Sequence, residues 1–151
     1  MLLFPDGTPF ADAYSPFVYR LATLQETTNR IFLQVSVEGI ETEAFLDTGS
    51  SYVILEPHIA ELLNIDRSQG ERIEKFNIRG NIIRGDLLRM TITILAEEGR
   101  SLLVDATAFV PELAPDQEWE DLPTILGLTG FLERIRFAIN PTIDRFYFGE
   151  I

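Results

Sequence analysis

Cysteine is absent from the 151-residue chain, which excludes disulfides, thiolate metal sites and a cysteine nucleophile. That absence is compatible with a reducing compartment, and the cytoplasm is the expected location. Histidine is nearly absent as well. His58 stands alone, so a zinc site of several imidazoles cannot be built, and a Ser-His-Asp triad would have to rest on this one ring. Its simplest reading is a helix-surface residue. No apolar run reaches the ~18 residues of a membrane-spanning helix, so no membrane span is expected. Met1-Leu2-Leu3-Phe4 meets Pro5 and Asp6 at once, without the basic stretch and long apolar core of a signal peptide. Basic charge is scarce: Lys75 is the only lysine, and arginines are scattered from Arg20 to Arg145 without a run. Twelve basic against 24 acidic residues leave a net charge of -12. Binding a phosphate backbone needs clustered Lys and Arg, so no nucleic-acid partner is expected.

What the chain does have is apolar side chain, 46% of residues, with 24% charged, enough for one soluble domain around a real core. A folded radius of gyration of about 15 Å leaves no room for a second domain of comparable size. Two similar catalytic lobes in one chain are thereby excluded.

Residues 1–29 are punctuated by Pro5, Gly7, Pro9 and Pro16, with Phe4, Phe10, Tyr14, Phe17 and Tyr19 between them, which predicts an extended arm docked on another surface. Residues 30–151 are expected to form the domain proper. From Arg30 the pattern has period two, Ile31, Leu33, Val35 and Val37 on one face and Gln34, Ser36 and Glu38 on the other. Glu38-Gly39 supplies a turn, and Ile40 to Asp47 alternates again, so 30–47 reads as a hairpin. Pro57 at a first helical position, Ile59, Leu62 and Leu63 at helical spacing and Asn64 at the stop predict one short helix. Gly80-Asn81 is a two-residue hairpin signal. A further hairpin runs from Leu88 to Val110 around Glu98-Gly99. The acid-rich stretch from Pro111 to Pro123, with Trp119 inside it, reads as a solvated excursion. The end reads as a strand at Thr124 to Leu126, a short helix at Phe131 to Arg134 and a closing hairpin around Asn140-Pro141.

Chemistry concentrates in Ala44-Phe45-Leu46-Asp47-Thr48-Gly49-Ser50-Ser51, an acid followed by a small hydroxyl residue and glycine at the end of a buried strand. Taken alone, Asp-Thr-Gly is weak evidence, since an Asp turn closing a strand has the same appearance. Here apolar Tyr52 to Leu55 follow, so the loop is pinned at both ends by core strands. A carboxylate in that setting needs hydrogen bonds, which the Gly49 and Ser50 amides and the Ser50 hydroxyl are near enough to give. About eighty residues on stands Ile125-Leu126-Gly127, followed by Gly130-Phe131-Leu132.

Together these elements resemble the retropepsin-like aspartic proteases, single-domain relatives of pepsin found in retroviruses and, as small proteins, in bacteria. The likeness runs from Arg30 to Gly149. It takes in the Asp47-Thr48-Gly49-Ser50 strand end, the helix near 57–64, the hairpin near 80, Ile125-Leu126-Gly127 and the closing hairpin. It implies an all-β fold, a small closed β-barrel with one or two short helices, and an aspartic endopeptidase that works as a homodimer on a peptide or protein substrate, without metal or cofactor. Asp47 would be the catalytic acid, one from each subunit. No other Asp in the chain is followed by Thr or Ser and then Gly, which independently leaves one candidate acid per chain. By the same resemblance Thr48 would bond across the dimer, Gly49 would permit close backbone approach and Ser50 would support the outer carboxylate oxygen. Ile78, Gly80, Asn81 and Ile82 would belong to a flap closing over the peptide, and Ile125, Leu126 and Gly127 would stand beside the site. The flap tip carries Arg79, Asn81 and Arg84 and is not simply glycine-rich, and the 112–121 loop and the arm exceed the minimal family pattern. Two alternatives stand beside this reading: a domain of the same fold that binds a peptide or protein without cleaving it, and an unrelated all-β module in which Asp47 is only a turn residue.

Overall fold

Four short strands precede Arg30, broken up by the prolines, which cannot donate to a ladder and so fall at strand ends. β1 (Leu2–Leu3) and β2 (Pro9–Ala11) pair with each other, while β3 (Ala13–Pro16) and β4 (Val18–Arg20) join two larger sheets. The alternating runs then give β5 (Arg30–Val37) and β6 (Ile40–Ser51). Glu38 and Gly39 between them both have positive φ, 48° and 92°, as a tight hairpin of this twist demands. After β7 (Val53–Ile54), helix α1 (Pro57–Leu63) starts on its proline and ends at Asn64, which takes the left-handed conformation at φ 49°. The chain continues through β8 (Glu71–Ile78), β9 (Asn81–Ile94), β10 (Leu102–Glu112), β11 (Thr124–Thr129), β12 (Arg136–Asn140) and β13 (Arg145–Gly149). A computed structural model describes all 151 residues.

The main sheet has the order β4-β5-β6-β11-β7-β10-β9-β8, and a further pairing of β5 with β9, Val35 opposite Ile94, bends it into a ring. The all-β class and the ring closure agree with the barrel expected from the sequence. Period two gives each strand of this ring two faces, and both are used. Leu33, Val35, Ala44, Ile92, Ala106 and Leu126 lie in one core cluster, while Phe32, Phe45, Ile54, Phe109 and Ile125 belong to a second. Fully burying a side chain such as Phe45 contributes about 2–3 kcal/mol of transfer free energy. The second cluster matters for the site, because Phe45 shares its strand and its parity with Asp47.

Several local expectations need correcting. In α1 the buried pair is Ile59 and Ala60, and Leu62 is 58% exposed, because one short helix offers only a narrow stripe to the body. The predicted helix at 131–134 is a single 3-10 turn, Leu132–Arg134. The hairpin turn near residue 80 is Arg79-Gly80, one residue earlier than the sequence signal: Ile78 pairs with Asn81, and both central residues have positive φ, 52° and 87°. The mirror-image turn needs positive φ at both positions and favours glycine at the second, which fixes the frame. The acidic stretch exposes Asp116, Glu118, Glu120 and Asp121 to solvent as expected, but it is tied to the body rather than free of it. Its Trp119 Nε1 donates to the Leu122 carbonyl at 2.8 Å, Leu122 is buried in the second cluster, and Gln117 Nε2 donates to the Ile82 carbonyl at 3.0 Å. The surface on which the segment before Arg30 docks is the body of the same chain. β3 pairs with β13, Tyr14 opposite Tyr147, and Ala13 and Phe17 lie in the main cluster.

Candidate active site

β11 runs parallel to β6, with Ile125 opposite Phe45, Leu126 opposite Leu46 and Gly127 opposite Asp47. The two sequence elements eighty residues apart are therefore immediate neighbours. Ile125 and Leu126 anchor the strand by pointing into different clusters, one on each face. Gly127 makes room for the loop. A Cβ built there would lie 1.9 Å from the Tyr52 carbonyl oxygen and 2.7 Å from that of Ser50, so backbone occupies the space a side chain would need. Space alone excludes any larger residue, since the φ of Gly127 is not positive.

Asp47 itself is half-buried, and its Oδ1 accepts the Gly49 N–H at 2.9 Å, closing a small turn at the strand end. Thr48 and Gly49 are exposed at the tip. The Ser50 hydroxyl donates to the Ser51 carbonyl at 3.3 Å, so within one chain it does not support the Asp47 carboxylate. A reversal follows at Tyr52, which holds φ 66°, uncommon for a bulky residue. Its carbonyl is the one packed against Gly127, and its ring lies 6.4 Å from that of Phe76 on β8. Nothing in the local sequence signals this left-handed tyrosine; it follows from the parallel partner strand.

The β8–β9 hairpin stands over this region. Of its predicted residues, Ile78 is buried and Ile83 is buried with it, Gly80 and Asn81 are exposed, and Ile82 is 52% exposed on the opposite face. The Gly80 N–H donates to Asn77 Oδ1 at 2.8 Å. Phe76 stacks on Phe109 with centroids 4.1 Å apart, and Gly85 opposite allows that ring and β10 to approach, a Cβ there meeting the Val110 carbonyl oxygen at 2.3 Å. At the hairpin's base Asp86, 5% exposed, takes Arg67 at 3.0 Å and Arg72 at 3.2 Å, while Arg67 also donates to the Val110 and Pro111 carbonyls. Arg72 reaches Glu112 too, and its hydrogen bond holds that carboxyl below the usual carboxylate range. The base is thus rigid, and a bulge in β8 between Ile73 and Phe76 separates it from the tip.

A cavity of about 230 Å³ opens beside the β8–β9 hairpin, lined by residues of the 23–26 segment, the hairpin and the 118–122 stretch, Trp119 among them. Asp47 does not line it. No group of three or more His, Cys, Asp or Glu side chains is placed to hold a metal ion.

No family model and no curated protein matches the sequence. Solved structures do match in fold. A retropepsin-like aspartic protease from Rickettsia conorii superposes with a TM-score of 0.55 at 16% identity, covering 89% of this chain and 98% of that one. The retroviral protease-like domain of Ddi1 from Leishmania major covers 80% of this chain and 94% of its own at 15% identity, with a TM-score of 0.48. At 16% identity the likeness to the Rickettsia protein is one of fold, and the chain has the retropepsin-like fold.

Proposed function

We propose that the protein is an aspartic endopeptidase whose active site forms between two copies of the chain, each contributing Asp47. The observation that carries this reading is the Asp47-Thr48-Gly49 turn, held by the Gly49 amide and by the glycine-lined contact with β11, with Thr48 and Gly49 left exposed at its tip. A single carboxylate cannot be both acid and base to one peptide bond. Two brought to about 3 Å cannot both ionise, so the pair keeps one proton and titrates as a unit. The ionised member takes a proton from water as that water attacks the scissile carbonyl carbon. The protonated member polarises the carbonyl oxygen, and the proton is returned to the departing amine. Leu128, 42% exposed, and Thr129 follow Gly127 beside the turn and offer surface to a second chain. Thr48 would bond across that interface. The β8–β9 hairpin would close over an extended peptide substrate. No metal or cofactor takes part.

Association opposes charge. Two chains at -12 each bring -24 into one particle, a self-repulsion that salt screens and acid removes. Cleavage per chain is therefore expected to rise with protein concentration, to rise further with moderate salt at neutral pH, and to peak on the acid side. At still lower pH both members of the pair are protonated and the base is lost. Sedimentation and rates measured over concentration, salt and pH check this. A strictly monomeric species with full activity overturns the shared site.

Gly80→Val tests the flap. With φ 87° at this position and open space around a Cβ, the cost is conformational, about 1–2 kcal/mol, and confined to the turn. Peptide turnover is expected to fall several-fold while the melting temperature drops by only a few degrees. An unchanged rate, or loss of the whole fold, removes the hairpin from the site.

A further inference from the structure

The 21–30 segment and the 113–123 stretch touch the flap on either side of its turn. Glu26 is the hub on one side. Its side chain is 12% exposed, accepts the Ala22 N–H at 3.2 Å, lies 3.7 Å from Arg30 Nε and forms an ion pair with Arg79 at the flap turn. Arg30 Nε is buried without a hydrogen-bond partner, so the Glu26 carboxylate is the charge that compensates it. The two guanidiniums lie over one ring, Arg30 at 5.9 Å and Arg79 at 5.8 Å from the centroid of Phe45, two residues before Asp47. On the other side of the turn Gln117 holds the Ile82 carbonyl. Between these two ties the flap residues Ile78 and Ile83 share a buried cluster with Phe45 and Ile125. Phe45 shares its strand face with Asp47, so on the protease reading a peptide reaching Asp47 from beneath the hairpin would compete with Ile78 and Ile83 for that face.

We infer that Glu26, assisted by Gln117, is a clasp that holds the flap down on its own catalytic strand, so that the peptide site is self-occupied until the clasp releases. What the flap admits rests on the protease reading above; that the clasp holds the flap does not. Glu26 is a positioning residue, acting through Arg79 and touching no reacting atom. Glu26→Gln keeps an oxygen for the Ala22 amide but leaves two cations facing one ring with no anion between them, and their repulsion lifts the flap tip. The apparent affinity for a peptide is scaled by the fraction of molecules with the flap open, so a looser clasp tightens binding and leaves the chemical step alone.

Hydrogen exchange on the whole protein tests the clasp directly, comparing amides of residues 76–83 with those of β10. In Glu26→Gln the flap amides are expected to exchange about fivefold faster and β10 to be unchanged, with a smaller rise in Gln117→Ala. In an Asp47→Asn background, Glu26→Gln should bind a fluorescein-labelled peptide library about fivefold more tightly, and in the active chain it should lower KM with kcat unchanged. Unchanged flap exchange in both variants overturns the clasp, as does faster exchange throughout the molecule. Faster flap exchange with weaker peptide binding overturns the gate, since the clasp would then be holding a working conformation. Failure of the protease reading has a different signature, the absence of Asp47-dependent cleavage, and leaves the exchange and binding measurements able to decide.

Discussion

Asp47→Asn is expected to abolish peptide cleavage, by about a thousandfold or more, while leaving the fold and its melting temperature nearly unchanged. Fold and activity separate here because of how Asp47 is bonded. Its one intramolecular hydrogen bond is received by Oδ1 from the Gly49 amide, and an asparagine Oδ1 accepts the same bond. The turn, the exposed tip and the contact with β11 all survive. Lost is the ability to take a proton from water or to share one with a second carboxyl, and general acid-base catalysis is worth about 10²–10⁴ in rate. Rates on a diverse peptide library, from acid to neutral pH, compare wild type with the variant beside a thermal melt of each. Cleavage at the wild-type level by a clean preparation of the variant removes Asp47 from the mechanism.

Gly127→Ala has the opposite signature, costing stability and the site together. The added methyl falls 1.9 Å from the Tyr52 carbonyl oxygen and 2.8 Å from its carbonyl carbon, both backbone atoms that no rotamer change moves. Either β11 separates from β6 at the Asp47 pair, or Tyr52 gives up its left-handed conformation and the turn loses its shape. Forcing one methyl into packed backbone costs about 3 kcal/mol. For a domain of this size that corresponds to a melting temperature lower by about 10 °C. Gly149→Ala is the comparison: the added carbon meets nothing nearer than 3.3 Å and φ is not positive there, so a change of only a few degrees is expected. Equal melting temperatures for the two variants show that the close approach at Gly127 is not what shapes the loop.

The residues whose structure follows from their own neighbours were readable in advance. The Glu38-Gly39 turn, the alternation of β5 and β6, the proline start and asparagine stop of α1 and the positive φ of Gly80 all rest on local sterics or on period-two burial. Asp47 and Gly127 were readable as two motifs, and the parallel pairing of β6 with β11 supplied the contact between them. Features created by distant partners were not legible. Arg79 and Glu26 are 53 residues apart, and nothing near either announces their ion pair. The acids around Trp119 suggested solvent, yet the stretch is held by Gln117, Trp119 and Leu122, a minority of its residues. Ser50 was expected from the resemblance to support the Asp47 carboxylate, but within one chain its hydroxyl donates to the Ser51 carbonyl.

β5 supports β6 only as far as Phe45; beyond it, Leu46, Asp47 and Ser51 find their ladder partners on β11 alone. During synthesis on the ribosome, the strand end that carries the acid therefore has nothing to pair with until residues 124–129 have emerged. A nascent chain that has made the Asp47 motif, the helix and the β8–β9 hairpin still lacks the backbone that gives the turn its shape. If the proposed cleavage holds, such an order of assembly leaves the acid without its finished setting until the strand beside it has been made, so the unfinished polypeptide is harmless to its neighbours on the polysome.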